Sequence, residues 1–168
     1  MGLGQQIKSL FMSYAGGTLG TRVFRVASIP TAGGAFLPIF TVANGVVLMT
    51  MLIGETTVAE ATGATNLTMQ TNPTVGAAVA LCIATAVTGD AIGTLYTITG
   101  NPADPVYAGL AVQGGMSGGA LATGQNTHGW VVPPGTVDWS ETIAAPTHAV
   151  QWTMFYVPID PEASVAAA

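Results

Sequence analysis

Apolar and polar residues alternate in short segments along most of the chain, from residue 21 to residue 157. Alternation with a period of two predicts β-strands, because successive side chains of a strand point to opposite faces. Turn-forming Gly, Pro, Asn and Asp residues separate the segments. The pattern predicts an all-β fold, an antiparallel β-sandwich of jelly-roll type. Strands are expected at residues 21–26, 36–42, 46–53, 66–70, 75–87, 94–99, 106–113, 129–132, 136–139 and 150–157.

Two of these segments carry sharper predictions. The pair Asn44-Gly45 stands between two apolar runs, which is the signal of a two-residue β-hairpin. In the segment 150–157 the alternation defines two faces, one with Val150, Trp152, Met154 and Tyr156 and the other with Gln151, Thr153, Phe155 and Val157. This segment is predicted to be a core strand with both faces covered and Trp152 buried, ending at Pro158, which cannot extend a ladder.

The two ends of the chain lack the alternating pattern of the segments between them. Residues 5–14 place apolar side chains at helical spacing, and glycines at 16, 17 and 20 follow them. We therefore divide the chain into an N-terminal docking arm (1–25) containing a short helix or extended segment, a β-sandwich domain (26–162) and a flexible tail (163–168). The residues expected to contact a partner are the apolar stripe of the arm and its two arginines: Ile7, Leu10, Phe11, Tyr14, Arg22 and Arg25.

Charge is scarce in this chain of 168 residues. Only 7% are Asp, Glu, Lys or Arg, against about 25% in ordinary soluble domains. The three cations all lie in the first 25 residues, and the net charge is −5. This balance argues against a nucleic-acid-binding face. The longest apolar run is too short for a spanning helix, so no membrane contact is expected. A surface with so few charges is expected to be covered by partner subunits in the working state.

Residues 134–139 read PGTVDW, and residues 150–160 read VQWTMFYVPID. These two segments resemble the endings of small virion structural proteins of tailed bacteriophages. The stretch 46–57 (VVLMTMLIGETT), followed by ATNL at 64–67, is similar as well. The resemblance spans about residues 42–160. It implies a jelly-roll cement or decoration subunit seated on the capsid lattice, made in the host cytoplasm, with the major capsid protein or other virion subunits as partners.

Candidate chemistry is sparse. Ser117 lies in the run GMSGG, which matches G-x-S-x-G, but both His128 and His148 follow it and a flexible glycine-rich loop comes next. The histidines are expected at loops or edges. Cys82 is expected to be a buried core thiol. No spacing of His, Cys, Asp or Glu indicates a metal site, and no cofactor is expected.

Three functions are compatible with these features. The favoured hypothesis is a non-enzymatic virion structural protein, a homo-oligomeric cement subunit that bridges the capsid lattice through apolar contact area. The alternative is a carbohydrate- or receptor-binding sandwich on a phage tail or fibre, with Trp130 and Trp139 as stacking platforms. A hydrolase built around Ser117 is the least favoured.

Overall fold

The computed structural model describes residues 20–30, 32–59, 63–108, 129–143 and 147–168. Within these ranges the chain forms two six-stranded antiparallel sheets that face each other, apart from one 3₁₀ turn at Ala32–Gly34. The prediction of an all-β sandwich is confirmed.

Sheet A contains β1 (Thr21–Ser28), β3 (Val47–Val58), β7 (Leu95–Thr97), β8 (Tyr107–Ala108), β9 (Trp130–Val132) and β11 (Ala149–Pro158). Its order is β1-β11-β3-β7-β8, and β9 pairs with β3. Sheet B contains β2 (Leu37–Ala43), β4 (Asn66–Pro73), β5 (Val79–Ala80), β6 (Thr85–Ala86), β10 (Gly135–Glu141) and β12 (Ser164–Ala167). Its order is β12-β2-β10-β4-β5, and β6 pairs with β4.

The core lies between the sheets and is centred on two tryptophans. Trp139 from β10 and Trp152 from β11 meet edge to face, with ring centroids 5.5 Å apart. Opposite Trp152 in the ladder stands Gly54, whose missing side chain leaves room for the indole: a Cβ there would lie 2.6 Å from Cζ3 of the ring. The burial predicted for Trp152 is confirmed, since the side chain is 1% exposed.

The central strand β11 buries only one of its faces. Val150, Trp152, Met154 and Tyr156 point into the core, as the alternation predicts. The opposite face is half-buried, and Val157 is exposed. The prediction that both faces are covered is wrong, because sheet A presents this second face outward from the sandwich.

The pair Asn44-Gly45 is not a hairpin turn. Both residues have positive φ, 60° and 140°, as such a turn requires. The strands on either side, β2 and β3, nevertheless join different sheets, so the pair carries the chain across the sandwich. The crossing is held by Asp160, whose Oδ2 accepts a 2.7 Å hydrogen bond from the N–H of Val46. The prediction of a turn at Asn44-Gly45 is therefore confirmed, but the prediction that this turn joins the two strands of a hairpin is wrong.

Gly45→Ala is expected to destabilise the fold by about 1–2 kcal/mol more than Gly89→Ala does. Both glycines have positive φ, but a Cβ at Gly45 would lie 2.6 Å from Cβ of Asp160, whereas a Cβ at Gly89 meets nothing within 4 Å. Urea unfolding of the two variants measures the difference. Equal losses would mean that the contact with Asp160 relaxes without cost.

The predicted segment boundaries need three corrections. β1 begins at Thr21 and pairs with β11, so Arg22 and Arg25 lie in the sandwich and not in a separate arm. Ser164–Ala167 pairs with β2 as β12, so the tail is an edge strand. The strand expected at 75–87 is replaced by β5, β6 and the turn between them. The helix expected at residues 5–14 lies outside the described residues.

Candidate functional site

A cluster of polar side chains is buried at one end of the core, centred on His148. Its imidazole is fully buried immediately before β11. Nδ1 lies 2.5 Å from Oε1 of Glu141, the last residue of β10, and Nε2 lies 3.0 Å from Oγ1 of Thr56 in β3. The Tyr96 hydroxyl of β7 lies 3.3 Å from the same Nε2. The contact between Glu141 and His148 therefore joins sheet B to sheet A inside the core.

The hydrogen bonds of this cluster run in one direction. The Tyr96 hydroxyl donates to Oδ2 of Asp90 over 2.7 Å, and the Thr56 hydroxyl donates to Tyr96 over 3.3 Å. Each hydroxyl has a single proton, so the Nε2–H of His148 donates to Thr56. At the other ring nitrogen, Nδ1 lies 2.5 Å from Oε1 of Glu141, and this contact lowers the cost of burying the two side chains together.

Tyr96 retains its proton in this arrangement. Burial, reinforced by the hydrogen bond to the Asp90 carboxylate, raises the pKa of Tyr96 above its ordinary value of 10.0. The hydroxyl therefore remains a donor to partly exposed Asp90 over the whole physiological range. The His148 cluster is thus an ordered chain from the core towards the surface.

The connectivity of Thr56, His148 and Glu141 is that of a nucleophile, a base and an orienting acid. The side chains of all three are buried, with at most 1% exposed. The rings of Tyr96 and Trp139 contact the imidazole edge-on. In the folded sandwich the contact between Glu141 and His148 stabilises the packing of the two sheets.

Sequence reasoning missed this cluster. His148 does lie outside a strand, in the connection before β11, as predicted, but its side chain is fully buried. A signal was present: His148 has the same parity as Val150 and Trp152, and Glu141 has the same parity as Trp139. Extending each inward-facing pattern by one step predicts both side chains in the core. No such signal exists for Thr56 or Tyr96, because their approach to His148 depends on the pairing of distant strands.

A second candidate site is the outer side of sheet A, which is rich in apolar side chains. We call it the outer A face. Phe24 is 43% exposed, and Val131 and Val157 are also exposed. The strand register arranges the face in four rows: Val157, Leu48 and Val131; Arg22, Phe155 and Met51; Phe24, Thr153 and Ile53; and Gln151, Glu55 and Leu95.

The outer side of sheet B is different in chemistry. There Thr68 and Ser140 share a 2.8 Å hydrogen bond, and the amide of Gln70 donates to Asp138 over 3.3 Å. Asp138 and Ser140 are buried and their partners on β4 are half-buried, so these polar groups bond to one another within the sheet side. A broad exposed apolar side, by contrast, marks a contact surface. The outer A face is therefore the stronger candidate for binding.

Of the predicted partner-docking residues the structure describes Arg22 and Arg25, and these two lie on opposite sides of β1. Arg22 lies on the outer A face, with its guanidinium carbon 5.8 Å from the centre of the Phe24 ring. Arg25 pairs with Trp152 in the ladder and so belongs to the core side of the edge strand. An inward charge on an edge strand discourages edge-to-edge pairing. Ile7, Leu10, Phe11 and Tyr14 lie outside the described residues, as do Ser117 and His128.

Cys82 and the tryptophans belong to the core. The Cys82 thiol is 4% exposed, as predicted, and burial raises its pKa from 9.0 to about 11. Trp139 is fully buried and Trp130 packs against the core, so the expectation of Trp139 as a sugar-stacking platform is contradicted.

The raised pKa predicts an unreactive thiol. At pH 8 a shift from 9.0 to about 11 lowers the thiolate fraction about a hundredfold, and burial restricts access further. We expect Ellman's reagent to modify the folded protein at least about a hundred times more slowly than the protein unfolded in guanidinium. A Cys82→Ser variant supplies the blank. Rapid modification of the folded protein would contradict the placement of Cys82.

Among the described residues, no three His, Cys, Asp or Glu side chains come together in a group that could hold a metal ion. In the same ranges, no helix has the length and apolarity needed to cross a membrane. Comparison of the chain with protein-family models, curated proteins and solved structures found no match.

Proposed function

We propose that this chain is a non-enzymatic structural subunit of a virion, which binds the major capsid protein lattice as a cement or decoration protein. The observation that carries the proposal is the outer A face. A sheet side with Phe24, Val131 and Val157 exposed, in a chain with 7% charged residues, favours a protein that works in contact with other subunits.

The strand order supports a jelly-roll type of sandwich. The principal strands number eight when β5 and β6 are counted as one and β7 and β8 as another. In chain order they are β1, β2, β3, β4, β5/β6, β7/β8, β10 and β11. Sheet A then reads first–eighth–third–sixth, and sheet B reads second–seventh–fourth–fifth. With β9 and β12 set aside, this order matches that of two interlocked Greek keys, an architecture used by viral capsid and lectin domains, and so supports the jelly-roll type. Since one fold serves many functions, the order supports the proposal only together with the apolar face.

The resemblance to phage proteins contributes less than the face does. Its residues Trp139, Trp152 and Tyr156 lie in the core strands β10 and β11, where they support packing. The resemblance therefore supports the type of sandwich. The apolar face supports the idea of adhesion by contact area, in which many identical weak contacts on a shell act together.

The proposal is tested on particles purified from the culture that produces the chain. We expect the protein to co-sediment with the shells, and antibodies against it to label the shell surface in electron micrographs. Binding should persist in about 1 M NaCl, because apolar contact is not screened by salt whereas exposed ion pairs are. Absence from the particles would refute the proposal, and labelling restricted to tails would refute the capsid location.

A truncation tests the arm within this proposal. Removing residues 1–19 leaves β1 intact, since that strand begins at Thr21. We expect the shortened protein to keep its melting temperature and to bind shells more weakly, while Lys8→Ala changes neither. Full occupancy of shells by the truncated protein would show that the arm is dispensable.

A further inference from the structure

The outer A face carries one charge of each sign at opposite corners. Arg22 stands on the edge strand β1, in the row of Phe155 and Met51. Glu55 stands two strands away on β3, in the row of Gln151 and Leu95. At about 4.8 Å between strands and about 3.4 Å per residue along them, these two corners are about 17 Å apart.

The middle of the face lies between the two charges. Thr153 pairs with Phe24 on one side and with Ile53 on the other, halfway from the row of Arg22 to the row of Glu55. Around it, Phe24, Phe155 and Ile53 supply the apolar surface. The face is therefore an apolar centre with a cation at one corner and an anion at the opposite one.

Such a pattern is complementary to itself. A twofold axis in the plane of contact, over Thr153 and perpendicular to the line from Arg22 to Glu55, places each Arg22 on the Glu55 of its partner. A twofold interface repeats every contact, so the ion pair forms twice while the apolar centres face each other. The strands of the two copies then cross at a steep angle, closer to the orthogonal than to the aligned class of sheet packing.

We propose that the outer A face binds a second copy of this chain, forming a twofold dimer in which Arg22 of each copy meets Glu55 of the other. This inference names the partner of the face on which the proposed function rests. A partner with a net charge would be matched by a face that carries only the opposite charge. The outer A face instead carries one charge of each sign, so its net charge is zero.

The size of the face indicates the strength of the dimer. Four strands about 4.8 Å apart and about seven residues along each give roughly 20 by 24 Å. This is about half of the 800 Å² per partner in a standard interface. We therefore expect a dissociation constant in the micromolar range.

The first test measures the mass of the free full-length protein by sedimentation equilibrium from about 1 to 200 µM. We expect a concentration-dependent dimer, lost in Phe24→Asp and kept in Val75→Asp. Val75 is the matched control because it is 88% exposed in the turn after β4 of sheet B. Dimers that survive Phe24→Asp would overturn the assignment of this face.

A charge exchange tests the ion pair. Arg22→Glu and Glu55→Arg should each raise the dissociation constant about tenfold, since each places like charges at two contacts. The double variant Arg22→Glu/Glu55→Arg should return it to within about threefold of the original. Failure of the double variant to recover while circular dichroism shows native structure would refute the reciprocal contact.

Crosslinking tests the axis. In a Cys82→Ser background, Thr153→Cys places a thiol beside its own symmetry copy. A short bismaleimide should then join the two, because facing sheets pack about 10 Å apart, too far for a direct disulfide. Val75→Cys should not crosslink. Equal crosslinking of both variants would overturn the axis.

These measurements use free protein, so they are independent of whether the chain is found on virions. A dimer without shell binding would refute the proposed function alone. A monomer at all concentrations, with shell binding lost in Phe24→Asp, would mean that the lattice itself covers the outer A face, and the dimer would be refuted.

Discussion

Replacing Trp152 by alanine will lower the free energy of unfolding by about 3–5 kcal/mol, which is the usual cost of removing a large buried aromatic side chain. The indole is 1% exposed and packs edge to face on Trp139. Opposite it stands Gly54, which has no side chain that could move into the space left behind. The cavity would therefore remain open.

The measurement is the midpoint and slope of guanidinium unfolding. Phe24→Ala is the matched control, because it removes an aromatic ring from the same sheet on its exposed side. We expect that control to cost less than about 1 kcal/mol. A loss below 1 kcal/mol for Trp152→Ala would contradict the register of β11.

His148→Leu and Glu141→Leu will each cost about 3–5 kcal/mol, because each leaves the other member of a buried pair without its partner. The double variant will cost less than the sum of the two, since it removes the polar pair together and fills the space with apolar atoms. The coupling arises from the 2.5 Å contact between Nδ1 of His148 and Oε1 of Glu141.

A double-mutant cycle from urea unfolding measures this coupling. The control cycle uses Gln151 and Glu55, which form a 2.6 Å hydrogen bond on the outer A face, where water competes. Its coupling should stay below about 1 kcal/mol. Additive losses for His148 and Glu141 would mean that the two side chains do not act as a pair.

The fold class could be predicted because alternation is a local property of the sequence. Val150, Trp152 and Met154 face inward in the order in which they are written. The route between sheets could not be predicted in the same way. A positive-φ pair such as Asn44-Gly45 reverses or redirects the chain, but its letters do not say which sheet receives the next strand. That choice depends on pairing between β3 and β11, which are far apart in sequence.

The candidate sites likewise combine features that follow from local alternation with features that depend on long-range strand pairing. Arg22 and Arg25 are three residues apart on one strand, and so they lie on opposite sides of β1, as the period of two requires. The His148 cluster assembles Thr56, Tyr96 and Glu141 from three strands in two sheets. No spacing along the chain encodes that meeting, because it is produced by strand register and sheet stacking.

The position of β11 between β1 and β3 has a consequence for synthesis. β1 and β3 both pair with β11, which follows them at a long distance in sequence. Sheet A therefore cannot close until β11 has been synthesised and has left the ribosome. Because pairing of distant segments is entropically slow, refolding should take milliseconds to seconds. Until then, the apolar strand β3 lacks its neighbour β11, and an unpaired apolar strand edge of this kind favours aggregation.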